Sequence, residues 1–485
     1  MYIDVMSEIH WMSGTELAAA INARELSAAE ALEHFVARIQ RLDGPVNAVV
    51  HWDLDRARKA AAAADAATIR GNATGALHGV PLTIKDSFST VGCITTSGSP
   101  DLADHVPTED AWAVARLREA GAIPFAKTNL PIFAGDIQSY NDVYGTTNNP
   151  HNLERTPGGS SGGSSAALAM GFTPLELGSD IGGSIRVPAH YSGVMGHKPS
   201  YGIVPGHGQI PGMPGTLSQA DLAVVGPMAR TVGDLESMLE VMAGPDRWQA
   251  PGWRLDLPPA RARTLSELRI AAWIDDPYCT VDGSTRRVLG EVITSIEAAG
   301  GCVDTEARPG FTLEKADMVF KSLLFSALAG SYSRQEIEEI ATDTNDTPLG
   351  SIHRASSARH REWLANNERR LQIRQRWHEF FERFDVILMP VQPRGAIPHD
   401  HSPQWSRTIA IDGITRPYQD LFGWTGPAGA GWLPATVVPG GIGDDGLPIG
   451  VQIVGPYLND RTTLQVGRLI AELRGGCPRP ALAGG

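Results

Sequence analysis

Residues 156–198 read TPGGSSGGSSAALAMGFTPLELGSDIGGSIRVPAHYSGVMGHK, and the rest of the chain is organised around them. Two glycine–serine clusters, Gly158–Ser165 and Gly182–Ser184, are separated by a helix-favouring segment, Ser164–Met170, and a short apolar run. Glycine lets the backbone enter left-handed regions and approach other groups closely, at an entropic cost that a plain loop seldom incurs twice. A glycine–serine run is most often a flexible linker. Linkers, however, are not followed at once by a helix-forming segment and then an apolar one. Upstream, Lys85 ends the strand-like run Val80-Pro81-Leu82-Thr83-Ile84.

These residue types fit nucleophilic catalysis. A serine hydroxyl is a weak nucleophile and needs a base within hydrogen-bond reach. Serine–lysine arrangements are a variant of the usual serine–histidine pair. The lysine serves only when neutral, and burial lowers its pKa. Lys85 follows apolar residues of an interior-type strand, so burial is expected. A second serine between the two would relay the proton. The glycines before Ser184 offer consecutive N–H donors to an oxyanion, each worth about 10²–10³ in rate.

A lysine after a strand, then GGSSGGS, then D-x-G-G-S-I-R is the pattern of the amidase signature family of serine hydrolases. The chain resembles that family in all three parts, in order. The resemblance implies that Ser184 is the nucleophile and Lys85 the base. It also implies that Ser160, after a cis peptide bond, bridges them. The oxyanion hole would be formed by the N–H groups of Ile181, Gly182, Gly183 and Ser184. Ser161, Asp180 and Arg186 fall in the same pattern as supporting residues. Asp180 and Arg186 are open to direct catalysis or to an ion pair that holds the loop, and the ion pair is favoured.

The implied fold is α/β: a mixed central β-sheet covered by helices on both faces, as one domain over residues 1–485. Its signature core spans about 75–230, a more variable substrate-shaping region about 245–430, and a C-terminal sheet and helix segment about 431–475. The implied activity is hydrolysis of a small neutral or aryl amide, with esters also accepted. No metal or organic cofactor is implied. A homodimer is the family-like assembly.

Rival readings remain in view. Gly159-Ser160-Ser161-Gly162-Gly163 also satisfies G-x-S-x-G, the α/β-hydrolase elbow, which would make Ser161 the nucleophile. That reading leaves the second cluster unexplained. A phosphate loop fails because no Gly-Lys-Ser/Thr follows the glycines. Within the family, the rival is the glutamine-hydrolysing subunit of a tRNA-dependent amidotransferase; outside enzymes, it is a scaffold with a dead site.

Composition narrows the partners. With 41 basic and 54 acidic residues the formal net charge is −13, which argues against nucleic acid or an anionic membrane. The four cysteines show no CxxC pairing, as expected of a reducing compartment, and a cytoplasmic location is the default expectation. No stretch approaches 18 apolar residues.

Along the chain, Thr15–Arg24 reads as a helix, and Ser27 with Glu30 makes a capping box that opens another. Thr108 with Glu109 and Asp110 reads as a helix start. The long loop Asn129–His151 precedes the serine cluster, and long loops are commonly functional. Its Phe133, Ile137 and Tyr140 are candidate pocket residues, with simple loop packing as the equal alternative. Strand–helix–strand order follows at Leu268–Ile274, Thr285–Ala299 and Cys302–Thr305. The segment Phe311–Ala341 reads as helical, and Ser357–Phe384 as a long helix with Trp377, Phe380, Phe381 and Phe384 on one side. His399-Asp400-His401 reads as a solvated loop rather than a metal site. A hairpin turning at Asp444-Asp445-Gly446 and the helix Asp460–Leu473 close the chain.

Overall fold

Local sequence rules build the opening helices of this computed structural model, which describes residues 8–484. Ser13 with Glu16, and Ser27 with Glu30, each form reciprocal capping boxes that start Gly14–Asn22 and Ala28–Leu42. The second helix buries Ala31, Leu32, Phe35, Val36 and Ile39, the face set by its helical spacing.

Eleven strands form one sheet. In spatial order they are Val49–Trp52, Ile123–Thr128, Pro81–Lys85, Leu175–Asp180, Val224–Ala229, Met195–Lys198, Ala435–Ile442, Pro448–Val454, Val386–Pro390, Arg269–Ala272 and Cys302–Asp304. The pairing is mixed. Pro81–Lys85 runs parallel to both neighbours, whereas Val224–Ala229 runs antiparallel to both of its own. Successive side chains point to opposite faces, so alternate residues enter different cores. Val386 and Leu388 join one core with Ile270 and Ala272, while Ile387 and Met389 join another with Ala271 and Trp273. The first core takes in the helices Ala28–Leu42, Val232–Met242 and Asp460–Arg474. The second takes in Leu313–Leu328 and His360–Phe381. Helices thus cover both faces.

The face shared with the second core carries the chemistry. Leu82 and Ile84 point into the first core, leaving Thr83 and Lys85 on the opposite side. Leu175–Asp180 lies alongside, with Thr83 opposite Glu176 and Ile84 opposite Leu177. This adjacency brings the end of the lysine strand to the loops that carry both glycine–serine clusters.

Two expectations need correction. Thr108 does not cap the next helix, which starts at Trp112 after Ala111 without a side-chain cap. Asp110 instead accepts from Val91 N–H and pairs with Arg118. The helical stretch read over 311–341 is broken into Leu313–Leu328 and Arg334–Ile340, because Ser333 with Glu336 starts a fresh capped helix. His399, Asp400 and His401 lie in a loop with His401 exposed, as expected, and the His401 ring stacks on Tyr140 with centroids 3.9 Å apart. The aromatic face of the long helix is as expected: Trp377, Phe380 and Phe381 are buried, and Trp377 stacks on Phe381.

Candidate active site

Lys85 Nζ sits among three hydroxyls, 2.6 Å from Ser160 Oγ, 3.0 Å from Ser161 Oγ and 3.1 Å from Ser179 Oγ. All four side chains are buried. Sheet geometry supplies two of them, Lys85 and Ser179, from neighbouring parallel strands. The turn before the helix Gly162–Ala169 supplies the others, and its Gly159–Ser160 peptide is cis. A side chain at Gly159 would press to 2.6 Å from the Asp136 carbonyl oxygen, so glycine permits this close passage. Burial pushes the Lys85 ammonium down from 10.5 to about 7, against the opposing pull of Asp180 and Glu176.

Ser184 lies at the open edge of this cluster, 8% exposed. Its carbonyl accepts the Ser161 N–H at 3.2 Å, which ties the second glycine–serine segment to the first. Among the described residues no hydrogen bond joins Ser184 Oγ to Ser160 Oγ. Catalytic hydrogen bonds often tighten only once substrate is bound.

Asp180 holds the loop before Ser184. Its carboxylate accepts from the N–H groups of Gly183, Ile185 and Arg186, and from Arg186 Nε and Nη2. Arg186 also donates to Thr425 O and Gln452 Oε1. Burial alone would raise the Asp180 pKa, but the guanidinium overcomes it and holds the carboxyl at about 2. Both side chains are fully buried; Asp180 with Arg186 Nε and Nη2 braces the loop, while Arg186 Nη1 reaches out to Thr425 and Gln452. Arg186→Met is expected to cost about 3–5 kcal/mol of stability, because it strands a buried carboxylate. Urea unfolding measures this, and a loss below about 1 kcal/mol would reject the pair as the clamp of the loop.

Gly183 departs from the expectation for an oxyanion hole, because its N–H is already directed to Asp180 Oδ1 at 2.9 Å. The N–H groups of Ile181, Gly182 and Ser184 have no acceptor among the described residues.

The predicted pocket residues separate. The loop that carries them does reach the site, as the contact at Gly159 shows. Ile137, however, is 4% exposed and packs with Ile185 and Val187 in a third core, so it supports the loop instead of lining a pocket. Tyr140 stacks on His401, and its hydroxyl accepts from Arg407 Nη2. Arg407 in turn meets Asp136 at 2.6 Å, pinning the loop to the chain near residue 407. Phe133 is half-buried, at φ 50°. Ser161 is fully buried under Lys85, with its hydroxyl 3.4 Å from Ser179 O. Among the described residues its hydroxyl meets Lys85 and Ser179 but no histidine, which the elbow reading would require.

Residues that sequence reasoning missed pack against the loop that carries Gly182 and Ser184. A side chain at Gly182 would come 2.9 Å from Phe422 Cε1 and 3.7 Å from Leu324 Cδ2. Phe325 meets Phe422 edge to face at 6.3 Å, and Thr425 Oγ1 donates to Gly182 O. These residues lie in the region read as substrate-shaping, but no motif marked them individually.

Together, the sheet, the buried lysine and its hydroxyl partners make up the candidate site. The amidase family model matches residues 30–464, and the chain belongs to that family, as an amidase signature amidohydrolase. It is 32% identical to a glutamyl-tRNA(Gln) amidotransferase subunit of Lachnospira eligens, over 96% of this chain and 98% of that one. It is 31% identical to an acylamidase of Rhodococcus erythropolis, over 96% of both. Among solved structures, a bacterial aryl acylamidase of the amidase signature family superimposes with a TM-score of 0.80 at 25% identity, covering 96% of each chain. No helix among the described residues is long and apolar enough to cross a membrane.

Proposed function

We propose that the chain hydrolyses small neutral or aryl carboxylic amides through an acyl-enzyme on Ser184. The observation that carries this reading is the buried Lys85 Nζ held by three hydroxyls, with Ser160 nearest. A neutral amine has two N–H groups and one lone pair, which suits three hydroxyl partners when the lone pair accepts the Ser160 O–H. Ser184 Oγ attacks the amide carbon while its proton passes to Ser160, whose own proton moves to Lys85. The oxyanion rests on the N–H groups of Ile181, Gly182 and Ser184. The C–N bond then breaks as the leaving nitrogen takes a proton back along the same path. Water next attacks the acyl-enzyme, with Lys85 and Ser160 again carrying the proton. Esters follow the same route.

The apolar wall of Leu324, Phe325 and Phe422 beside the nucleophile loop supports an aryl or alkyl acyl group, as does the likeness to acylamidases. The second reading is a glutamine-hydrolysing amidotransferase subunit, favoured by relatives of that name at near-full length. The two differ in what the purified chain does alone. Turnover of aryl acylamides such as an acetanilide without added protein is the expected result. Inertness toward such amides, with glutamine hydrolysed only beside partner subunits, would establish the second reading.

A further inference from the structure

We propose that Glu176 governs the protonation of Lys85 from the neighbouring strand, as a positioning residue that never touches substrate. The proposal rests on the reading of Lys85 as the base. Thr83 and Lys85 share one face of their strand, and Glu176 is the register partner of Thr83. Parallel-strand spacing puts the Glu176 and Lys85 Cα atoms about 8 Å apart, within reach of two long side chains. Glu176 is fully buried, and its Oε1 accepts from Thr83 Oγ1 at 2.7 Å. Among the described residues its Oε2 meets no donor at full hydrogen-bond geometry, although the Thr128 and Ser164 hydroxyls act on the carboxylate. Thr128 and Ser164 stand nearby with their hydroxyls bonded to each other, Ser164 belonging to the helix that follows Ser160.

A buried carboxylate is costly when ionised. Burial accordingly raises the Glu176 carboxyl from 4.5 to about 7, against the hydroxyls of Thr83, Thr128 and Ser164 and the charge of Lys127. The charges of Asp180 and Glu176 both favour the ammonium of Lys85 against its burial, so the ionisation of Glu176 is linked to that of Lys85. An ionised Glu176 raises the pKa of Lys85 and so favours the ammonium, which is no base; a protonated Glu176 favours the neutral amine. The other charges around the pair are Asp180, bound to Arg186 and also facing Lys198, and Lys127, whose ammonium lies 3.9 Å from Asp86.

Glu176→Gln keeps the acceptor for Thr83 and removes the charge. Its acid limb of kcat/KM is expected to move to lower pH by about one unit, with KM little changed. Thr83→Val removes a donor that favours the anion and is expected to move the limb the same way by less. Thermal midpoints give a readout independent of activity. Folding raises the Glu176 pKa, so the wild type loses stability as pH climbs from about 4.5 to about 7, a loss that the glutamine variant escapes. The variant's midpoint advantage should therefore appear at pH 8 and vanish near pH 4. A purely structural role would lower the midpoint at every pH and leave the limb in place. A limb that stays put or moves up in both variants overturns the proposal, provided that Lys85→Ala is inactive. Full activity in Lys85→Ala would instead overturn the reading of Lys85 on which it rests.

Discussion

Ser184→Ala is expected to lower kcat by about 10⁴–10⁶-fold, the scale on which removing a serine nucleophile acts. Ser184 is the one hydroxyl of the cluster at an accessible edge, whereas Ser160, Ser161 and Ser179 are 3% exposed or less. It also follows Ile181 and Gly182, whose N–H groups have no acceptor among the described residues, so an oxyanion formed on its acyl adduct falls beside them. A fluorophosphonate probe followed by peptide mapping should place the adduct on Ser184 and lose it in the alanine variant. Ser161→Ala should still be labelled, since that hydroxyl contacts Lys85 from inside the cluster. An adduct on Ser161 would return the chain to the elbow reading, and full activity in Ser184→Ala would end the assignment.

Lys85→Ala is expected to cost about 10⁴-fold, the upper end of what one positioned base supplies. Lys85→Arg should not rescue it, because a guanidinium stays charged throughout the working range. The wild-type profile follows from the same physics. Burial disfavours the ammonium, bringing the lysine down to about 7, and only the neutral amine accepts the serine proton. The kcat/KM should therefore rise with pH through about 7 and level off near pH 9. A flat profile between pH 6 and 9 would exclude Lys85 as the base. Below pH 7 the ammonium instead donates to all three hydroxyls, leaving no lone pair for the Ser160 proton.

Much of this site was legible before any fold was known. The glycine–serine spacing and the strand-end lysine are local features, and the resemblance they carry named Lys85, Ser160 and Ser184 together. The clustering of Lys85 with Ser160 in the structure agrees with that reading. The capping boxes at Ser13 and Ser27 were equally plain, because an N-cap is decided within four residues. Thr108 misled for the same reason. Its local pattern is a fair helix start, but the tertiary contacts of Asp110 with Val91 and Arg118 draw that segment out of the helix.

The sequence by itself determined the chemical inventory of the site and the alternation that sends Leu82 and Ile84 inward and turns Lys85 to the other face. The tertiary structure decided what stands around that inventory. Phe422 and Leu324 reach Gly182 from segments far downstream, and Gly183 is claimed by Asp180, which leaves three free donors where four were expected. Glu176 meets Thr83 only because two strands some 90 residues apart pair in one register. Periodicity and capping act over a few residues and can be read along the chain. Wall residues, spent donors and neighbouring charges depend on packing and strand order, which no local pattern encodes.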